Sequence, residues 1–402
     1  MKYTIDEILD FVEQEDVKFI RLAFCDTFGC QKNVAILPSE LHRAFTDGIS
    51  FDASAIRGFA SGAESDLFLC PIPSTLTILP WRSFQGKVVR MFCDIRHPDG
   101  TPFARDSRFI LSRAVEICKK QNIVVNFGPE YEFYLFETDE RGKPTKIPFD
   151  EAGYMDVSPD DKGEDIRREI CLLLAEMGIQ PEASHHEEGP GQNEIDFRYS
   201  DALTAADNAL NFITVVKASA IHNGLFADFS PKPLPGESGN GFHINISIKS
   251  NDGRDLMPAF MTGIMEHIKE ITAFLNPTRQ SYARLGEKKA PKYISWSPEN
   301  RSQLIRVPAA TGENRRIELR SPDPMANPYI AYALLIHAGL DGITRGLELP
   351  PASELDLYTA PPEVLAKQDK LPVSLEEAVK LASESSFVAS VLPRGFVESL
   401  LN

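Results

Sequence analysis

The feature of this chain that most constrains its fold is the stretch at residues 128–136, GPEYEFYLF. It is short, rich in aromatic residues and begins with a Gly-Pro pair typical of a turn, so it predicts a β-strand. Because side chains alternate along a strand, Glu130 and Glu132 point to the same side. Two adjacent carboxylates would repel each other and resist burial, and a bound Mg²⁺ or Mn²⁺ would remove both problems. An edge strand carrying two solvated glutamates is the alternative.

The composition is that of an ordinary globular protein. The 402 residues are 43% hydrophobic and 25% charged, which suffices for a large core and two domains. A net charge of −16 argues against a general binder of nucleic acid or anionic membranes. No signal-peptide layout and no run of about 18 apolar residues occurs, so we expect a cytoplasmic protein. The six cysteines form no Cys-x-x-Cys pair and are predicted to be free thiols.

Periodicity and turn signals predict helices and short strands throughout the chain. The break at residues 98–102, PDGTP, places a domain boundary near residue 104. Residues 51–59 are predicted to form a loop because they are small and polar with glycine. The predicted strands are 18–24, 33–37, 77–79 and 88–95, and the predicted helices are 5–15, 39–46, 107–121, 161–178, 204–224, 259–275, 326–346 and the tail from 374.

A second polar cluster lies at residues 184–194, SHHEEGPGQNE. Its Gly-Pro-Gly is a turn, so Glu187 and Glu194 could meet across a bend between two extended segments. Together with an adjacent histidine they would add to the ligands of strand 128–136. The spacing differs from the helical His-Glu-x-x-His zinc motif, and the glycines exclude a helix. A polar surface hairpin is the alternative.

A third segment, residues 236–248 (GESGNGFHINISI), places glycines before a strand rather than before a helix. It is therefore neither a dinucleotide fingerprint nor a phosphate-binding Walker loop. His243, Asn245 and Ser247 share one face of the strand, and the apolar residues share the other. That pattern is typical of a strand that lines a cavity, although a single histidine is also common as a structural residue.

Five arginines fall within twenty residues, at positions 301, 306, 315, 316 and 320. Guanidinium groups suit phosphate and carboxylate oxygens, whereas an ion-pair network with the surplus acids would explain the same residues. On the strand at 316–320, Arg316, Glu318 and Arg320 share one face. Carboxylates for metals beside arginines for phosphates are the combination that ATP-dependent phosphoryl transfer requires.

The chain resembles the type I, bacterial-type glutamine synthetase family over nearly its whole length. The matching motifs appear in the family's order, and so many spaced matches exclude chance similarity. They are Phe51-Asp52-x-Ser54-x-Ile56, Glu64-Ser65-Asp66, Gly128-Pro129-Glu130-x-Glu132-Phe133, His185-His186-Glu187, Gly191-Gln192-Asn193-Glu194, Pro231-Lys232-Pro233-Leu234, Gly239-x-Gly241-x-His243, Asn276-Pro277-Thr278, Ser281-Tyr282, Asn300-Arg301-Ser302, Arg316-x-Glu318-x-Arg320 and Asp323-Pro324-x-Ala326-Asn327-Pro328-Tyr329.

This resemblance implies an α+β fold. Residues 1–103 would form a β-grasp domain that contributes to a neighbouring active site, and residues 104–402 a catalytic domain with a curved, open-barrel-like antiparallel sheet flanked by helices. It also implies a homo-oligomer, a dodecamer of two hexameric rings. Glutamate, ammonium and ATP would be the substrates, with two Mg²⁺ or Mn²⁺ ions per site and no nucleic-acid or membrane partner.

The resemblance assigns a role to each matching residue. One metal would be held by Glu132, Glu187 and Glu194, and the second by Glu130, His243 and Glu318. The phosphates would be bound by Arg301, Arg316 and Arg320, glutamate by Gly239, Arg284 and Arg306, and the nucleotide also by Glu182 and Ser247. Asp52 of the adjacent subunit would take a proton from ammonium, beside Tyr154.

The implied reaction has two steps. The γ-carboxylate of glutamate attacks the γ-phosphate of ATP, giving γ-glutamyl phosphate and ADP, and ammonia then displaces phosphate to give glutamine. Two alternatives stay open, namely a γ-glutamyl ligase for a larger amine, such as a polyamine or ethanolamine, and a non-catalytic regulatory relative.

Departures from the family pattern cluster at the amine end of the site. Lys289 falls where the family's flap carries a glutamate, and it would repel ammonium. Glu287 is the hypothetical substitute. Ala55 replaces a usual serine and Ser238 a usual asparagine. Tyr358 matches a tyrosine that some relatives adenylylate, and we expect it to be an unmodified loop residue.

Overall fold

The computed structural model describes residues 3–59, 65–82 and 86–401, so Glu64 of the matched motif lies outside the described residues. Two β-sheets organise the chain, and each has its own buried apolar cluster. The mixture of sheets and separate helices confirms the predicted α+β class. Within the described residues, none of the helices combines the length and the apolar character that a membrane span requires.

The first sheet has six strands in the order β2-β1-β6-β4-β3, with β5 beside β6. Its central pair, β1 and β6, is parallel, and its other pairs are antiparallel. Residues 20, 22 and 24 of β1 pack into one apolar cluster, whereas Ala23 and Cys25 on the opposite face pack towards the rest of the chain. The strands are β1 Val17–Cys25, β2 Gln31–Ile36, β3 Ile49–Asp52, β4 Asp66–Pro71, β5 Thr77–Ile78 and β6 Lys87–Arg96, and the helices here are α1 Ile5–Gln14 and α2 Leu41–Thr46.

The second sheet has ten strands, and its main path runs β14-β15-β16-β13-β7-β10-β9. All its pairs are antiparallel except β14 with β15, which is parallel. The long β7 also pairs with β8, β11 and β12, so it is the central strand of the sheet. The strands are β7 Ile123–Thr138, β8 Pro144–Pro148, β9 Pro181–His186, β10 Gln192–Phe197, β11 Ser200–Asp201, β12 Leu225–Asp228, β13 Phe242–Ser250, β14 Trp296–Pro298, β15 Ile305–Val307 and β16 Ile317–Leu319.

Helices cover one face of the second sheet, and most begin at a capping side chain. The side chains of Asp106, Asp201 and Asn327 accept hydrogen bonds from the first-turn amides of α3, α5 and α8. At the other end of α8, Gly346 adopts the left-handed conformation that closes a helix. The helices are α3 Ser107–Lys120, α4 Glu164–Glu176, α5 Ala202–His222, α6 Met257–Leu275, α7 Arg279–Arg284, α8 Pro328–Arg345, α9 Pro362–Leu365, α10 Leu375–Glu384 and α11 Ser386–Val391.

The helix-facing side of β7 is aromatic. The fully buried ring of Tyr131 stacks on Phe242 of β13 at 4.3 Å between ring centroids and on Phe212 of α5 at 5.3 Å. Behind this layer α6 and α8 touch closely, since a Cβ on Gly263 would lie 2.1 Å from a backbone oxygen of α8. Because odd-numbered residues of β7 fill this core, the even-numbered Glu130 and Glu132 face the opposite side of the sheet.

Buried polar contacts join the first sheet to the helices of the second. The Asn327 amide donates to the backbone oxygens of Asp26 and Thr27, at 3.2 and 3.3 Å. Nearby, Asp207 on α5 accepts two hydrogen bonds from the guanidinium of Arg108, both 3.0 Å, and one from the Tyr329 hydroxyl at 2.6 Å. The Asn327 contacts attach the β1–β2 turn to the start of α8, and the Asp207 contacts join α3, α5 and α8 to one another.

The structure corrects several sequence predictions. The Gly-Pro pair at 128–129 does not bound a strand but lies inside the 16-residue β7. Residues 51 and 52, predicted as loop, belong to β3, and the short β4 was not predicted. The antiparallel second sheet also contains one parallel pair. All six cysteines are free, as predicted.

Candidate active site

The acidic residues are brought together by the pairing register of the strands and not by the conformation of loops. On one side of β7, Glu132 pairs with Glu194 of β10, and Glu130 pairs with Asp196. Glu194 in turn lies opposite His185 on β9. Since paired residues on antiparallel strands project to the same face, these side chains form a continuous acidic patch.

The other side of β7 extends this patch with a histidine and a further acid. Glu130 pairs with His243 of β13, and Glu130 Oε2 lies 3.3 Å from His243 Nδ1. Two residues after His243 on the same strand, Asn245 lies opposite Glu318 of β16. The Asn245 amide donates to Glu130 Oε1 at 2.7 Å, so it holds that carboxylate towards the histidine.

Two connected cavities lie over this face of the sheet. The first, about 500 Å³, is lined by most of the predicted site residues: Glu130, Glu132, Tyr154, Glu187, Glu194, Gly239, His243, Arg284, Glu287, Arg301, Arg306, Arg316 and Arg320. The second, about 590 Å³, contains Glu182 and Ser247, and it shares Glu130, Ala183, Asp196 and Arg316 with the first. The sheet therefore places an acidic cavity and a second cavity side by side.

Several sets of side chains have the spacing of a metal site, and all their members line the first cavity except Glu318, which is fully buried next to it. In each set the candidate ligand atoms lie within 4.8 Å of one another. The sets are Glu130 with His243 and Glu318, Glu132 with Glu194 and His243, His185 with Glu187 and Glu194, and Glu130 with Glu194 and Asp196. Oxygen-rich sets with one imidazole suit Mg²⁺ or Mn²⁺.

Burial raises the pKa of most carboxyl groups in this patch, with Glu194 as the exception. Burial, reinforced by the charges of Glu194 and Glu187, raises the pKa of Glu132 well above its usual value. Burial and Glu194 raise the pKa of Glu187 to about 7, and burial with Glu194 and Glu130 raises the pKa of Asp196 to about 10. Acids that hold protons because they crowd one another fit a bound cation, which would replace those protons.

The pKa values of the two histidines of the patch are shifted in opposite directions. The hydrogen bond to Glu194 raises the pKa of His185, whose Nε2 lies 3.4 Å from Glu194 Oε1. Although burial opposes it, this contact keeps the pKa of Glu194 below its usual value. Burial and the positive charge of Arg320 lower the pKa of His243 to about 3. His243 is therefore neutral, which is the form that ligates a metal.

Arginines surround the acidic patch. The fully buried Glu318 accepts from Arg306 Nε and Arg320 Nη1, one at each oxygen. Arg316 Nε donates to Asn245 Oδ1 at 3.0 Å. Arg284 is anchored by a 2.7 Å hydrogen bond from its Nη1 to the backbone oxygen of residue 321. The cations are thus held along one wall of the cavity, with Arg306 and Arg320 tied to Glu318.

Residues 287–290, the flap, line the first cavity. Lys289 Nζ lies 2.5 Å from Glu188 Oε1, and it is 5.3 Å from the ring centroid of Tyr154. The Tyr358 hydroxyl lies 2.7 Å from the backbone oxygens of both Lys289 and Arg301. The lysine charge is therefore paired with a carboxylate of the β9–β10 turn, and Tyr358 links the flap to the arginine wall.

One predicted residue lies outside both cavities, and one predicted set is arranged differently. Asp52 lies on β3, exposed and bonded to Ser54, and it lines neither cavity of its own chain. The predicted triad of Glu132, Glu187 and Glu194 does not form a single compact set, since Glu194 instead joins Glu132 through His243 and Glu187 through His185.

Sequence reasoning missed Asp196, which lines both cavities. It also gave no separate role to His185 and Gln192. Gln192, Glu194 and Asp196 alternate along β10, so the same period-2 rule that paired Glu130 with Glu132 would have identified them. Gln192 Nε2 lies 3.2 Å from Glu132 Oε2 and so helps to orient that carboxylate.

The fold and the cavity define an α+β protein whose curved sheet carries carboxylates and arginines suited to metal-assisted chemistry on phosphates. Residues 104–402 match the family described as glutamine synthetase, catalytic domain, and residues 16–98 match the family described as glutamine synthetase, beta-Grasp domain. The chain belongs to the glutamine synthetase family.

Individual relatives agree with this assignment. The chain is 45% identical to a glutamine synthetase of Clostridium saccharobutylicum (97% of this chain, 92% of the relative) and 43% identical to one of Methanosarcina mazei (97% and 90%). It is 42% identical to one of Staphylococcus aureus (100% and 93%). Among solved structures, a GmaS/ADP complex superposes with a TM-score of 0.88 at 28% identity (100% and 94%). Plasmodium falciparum glutamine synthetase, at 23% identity and a TM-score of 0.87 (99% and 94%), shows the same fold.

Proposed function

We propose that this chain is an ATP-dependent glutamate–ammonia ligase that forms glutamine through γ-glutamyl phosphate. The observation that carries the proposal is the cross-strand patch of Glu130, Glu132, Glu194 and His243 beside a wall of arginines. Membership of the glutamine synthetase family, with relatives at 42–45% identity, supports ammonia over a larger amine. It equally disfavours a non-catalytic role.

Two divalent cations per site would be held by this patch. One would be bound by Glu130, His243 and Glu318, whose ligand atoms already lie within 4.8 Å of one another. The other would be bound by Glu132 and Glu194 together with Glu187. Glu318 can serve although both its oxygens accept from arginines, because each carboxylate oxygen keeps a second lone pair. Such ions, when bound, neutralise phosphate oxygens and stabilise the charge that develops during phosphoryl transfer.

The arginines would position the anionic substrates. Arg301, Arg316 and Arg320 face the cavity beside the metal set and would bind the phosphates of ATP and the phosphoryl group in transfer. Arg284 and Arg306 would bind the carboxylates of glutamate. Planar guanidinium groups lose little freedom when they bind such oxygens, above all the buried Arg284 and Arg320, and this favours a defined attack geometry.

The backbone of Gly239 would contact the substrate glutamate directly. A Cβ there would lie 2.4 Å from the backbone oxygen of Pro231, so the loop has no room for a side chain. Glu182 and Ser247 line the second cavity and would contact the nucleotide. ATP would then span both cavities, with its terminal phosphate near Glu130, which lines both.

The amine half of the reaction would use a neighbouring subunit. Asp52 lines neither cavity of its own chain, which supports a role in the site of an adjacent copy, where it would accept a proton from ammonium. Tyr154 would shape that pocket. Because Lys289 is paired with Glu188, its charge repels ammonium less than an unpaired lysine would. Glu287 lines the same cavity and would supply the missing negative charge.

This scheme includes a domain division and an assembly. Residues 1–103 would be the β-grasp domain and residues 104–402 the catalytic domain, supported by the two separate apolar clusters. A dodecamer of two hexameric rings would bring Asp52 to the neighbouring site. ATP and glutamate are abundant cytoplasmic metabolites, which supports a cytoplasmic location.

The test is steady-state turnover with ATP, Mg²⁺ and glutamate, and with ammonium compared with ethanolamine and a polyamine. We expect glutamine and phosphate in equal amounts with ammonium and much slower turnover with either organic amine. A preference for an organic amine would contradict the proposal, as would phosphate release without any amide product. A Glu130→Gln variant, which loses a metal ligand, is the control for a contaminating activity.

A further inference from the structure

A separate cavity of about 150 Å³ lies between the first sheet and α5, away from the two active-site cavities. Arg21 and Arg90 line it from the sheet, and Asn211 and Thr214 line it from the helix. The remaining lining residues are uncharged, so none of the described residues around this cavity is acidic.

Strand register places the two arginines side by side. Arg21 of β1 and Arg90 of β6 are paired across the central parallel ladder of the first sheet. They share the face of Ala23 and Phe92, which pack against the second half of the chain. Both guanidinium groups therefore point towards α5 and into one small space.

Arg90 is buried without a complete set of hydrogen-bond partners. Its residue is 2% exposed, and neither Nε nor Nη1 has an acceptor among the described residues. The guanidinium lies over the ring of Phe92, with 3.9 Å from Cζ to the ring centroid. Burial lowers the pKa of Arg90 to about 10, which still leaves it charged at neutral pH. A buried cation with unsatisfied donors is costly unless an anion or water meets it.

Asp207, the carboxylate whose charge acts most on Arg90, does not provide that anion. Asp207, one helical turn before Asn211 on α5, accepts two hydrogen bonds from Arg108 and one from Tyr329. The Asp207 carboxylate is therefore already paired with the buried guanidinium of Arg108. The positive charge of Arg90 is left without a matched negative charge in the described part of the chain.

We propose that this cavity is a binding site for one small oxyanion, a compact carboxylate or a phosphate, held by Arg90 Nε and Nη1. The volume admits a ligand of a few heavy atoms and excludes a nucleotide. The side-chain amide of Asn211 supplies a neutral N–H donor opposite the arginine, and Thr214, whose hydroxyl donates to the backbone oxygen of Leu210 at 2.9 Å, closes the wall beside it. Because the ligand would touch both the first sheet and α5, its binding stabilises their packing.

The test is calorimetric titration of the full-length protein with succinate, acetate and inorganic phosphate. The active site also binds anions, so the informative quantity is the difference between the wild type and Arg90→Met under the same conditions. Arg96→Met is the matched control, since it removes an exposed positive charge from the same strand. Comparison of the three probes distinguishes a carboxylate site from a phosphate site.

We expect the wild type and Arg96→Met to bind one more anion per chain than Arg90→Met does. In Arg90→Met the affinity of that extra site should fall at least about tenfold, because one charge-assisted hydrogen bond is lost. Thr214→Met fills the cavity from α5 without touching the arginine, and it should abolish the same site. Equal anion binding by the wild type, Arg90→Met and Thr214→Met would overturn the proposal. If Arg90→Met does not fold, Thr214→Met decides the outcome.

Discussion

Glu130 and His243 lie directly opposite each other on the antiparallel strands β7 and β13, with 3.3 Å between Glu130 Oε2 and His243 Nδ1. Neither depends on a loop for its position. The pairing on the other side of β7 puts Asp196 across from the same Glu130. A rigid sheet thus holds the acid and imidazole groups at the floor of the cavity, which is the arrangement that a reproducible metal geometry needs.

Replacement of Glu132 by glutamine should raise the stability of the metal-free protein and lower its catalytic turnover. In the metal-free protein, burial and the charges of Glu194 and Glu187 force the Glu132 carboxyl to keep its proton, which costs folding free energy. Glutamine is neutral without this cost, so the metal-free variant should have a higher melting temperature than the wild type. It should also lose most of the further stabilisation by Mg²⁺ or Mn²⁺ and about 100-fold or more in turnover. Thermal unfolding with and without metal measures both effects. Glu137→Gln, an exposed change on the same strand, should behave as the wild type, and a variant with normal metal stabilisation would exclude Glu132 as a ligand.

Metal binding should become tighter as the pH rises towards 7. Without metal, Glu187 holds its proton up to about pH 7 in the folded chain, whereas the unfolded chain releases it near the usual pKa. This contribution to metal-free stability is therefore complete at low pH and is lost as the pH rises through about 7. Because a cation displaces the proton, the dissociation constant should fall by up to about tenfold per pH unit below 7 and then level off.

A matched variant tests the origin of that pH dependence. Glu187→Gln cannot release the proton, so its metal affinity should be weaker overall and should vary less between about pH 5.5 and 7. Calorimetric titration with Mn²⁺ over this range measures both slopes. An unchanged slope would assign the proton to another group of the patch.

The contact between Lys289 and Glu188 should keep the flap closed during the second step. Lys289→Met removes an ion pair of which both side chains are partly exposed, so the effect should be modest, about fivefold or less. We expect a higher KM for ammonium and more phosphate released than glutamine formed, because water reaches the acyl phosphate. Paired assays of phosphate and glutamine measure this ratio. Lys288→Met is the control, and equal coupling in both variants would show that the ion pair does not close the site.

The contact of Asp207 with Arg108 should be a main determinant of stability where α5 meets α3 and α8. Asp207→Ala leaves a buried guanidinium and the Tyr329 hydroxyl without their acceptor, which should lower the free energy of unfolding by about 3–5 kcal/mol. The double variant Asp207→Leu with Arg108→Met removes both charges and should be less destabilised. Urea unfolding compares them, and an equal loss in both would mean that packing rather than charge carries the effect.

Alternation along the strands predicted which side chains share a face, whereas turn signals misplaced a strand end. Period-2 alternation placed Glu130 beside Glu132, and His243 on one face with Asn245, and both pairs line the described cavities. The Gly-Pro pair, in contrast, suggested a strand end. Pro129 is tolerated inside β7 because it falls between residues 126–127, which pair with β11, and residues 130–134, which pair with β10. No amide is needed on that side at residue 129, and sequence alone does not show which strands flank it.

Other features depend on contacts between distant segments. Asp196 belongs to the acidic patch only because β10 is paired with β7 in the register that puts Asp196 opposite Glu130. The partner of Lys289 could not be found from the flap itself, since Glu188 lies about a hundred residues earlier in the chain. Likewise, the crowding of arginines beside Asp207 arises from packing of the first sheet on α5.

The central claim is that this patch holds divalent cations, and anomalous diffraction from crystals grown with Mn²⁺ and ADP tests it most directly. We predict one anomalous peak in contact with Glu130 and His243 and a second in contact with Glu132 and Glu194. Mn²⁺ bound elsewhere, with these four side chains making no contact to an ion, would contradict the account.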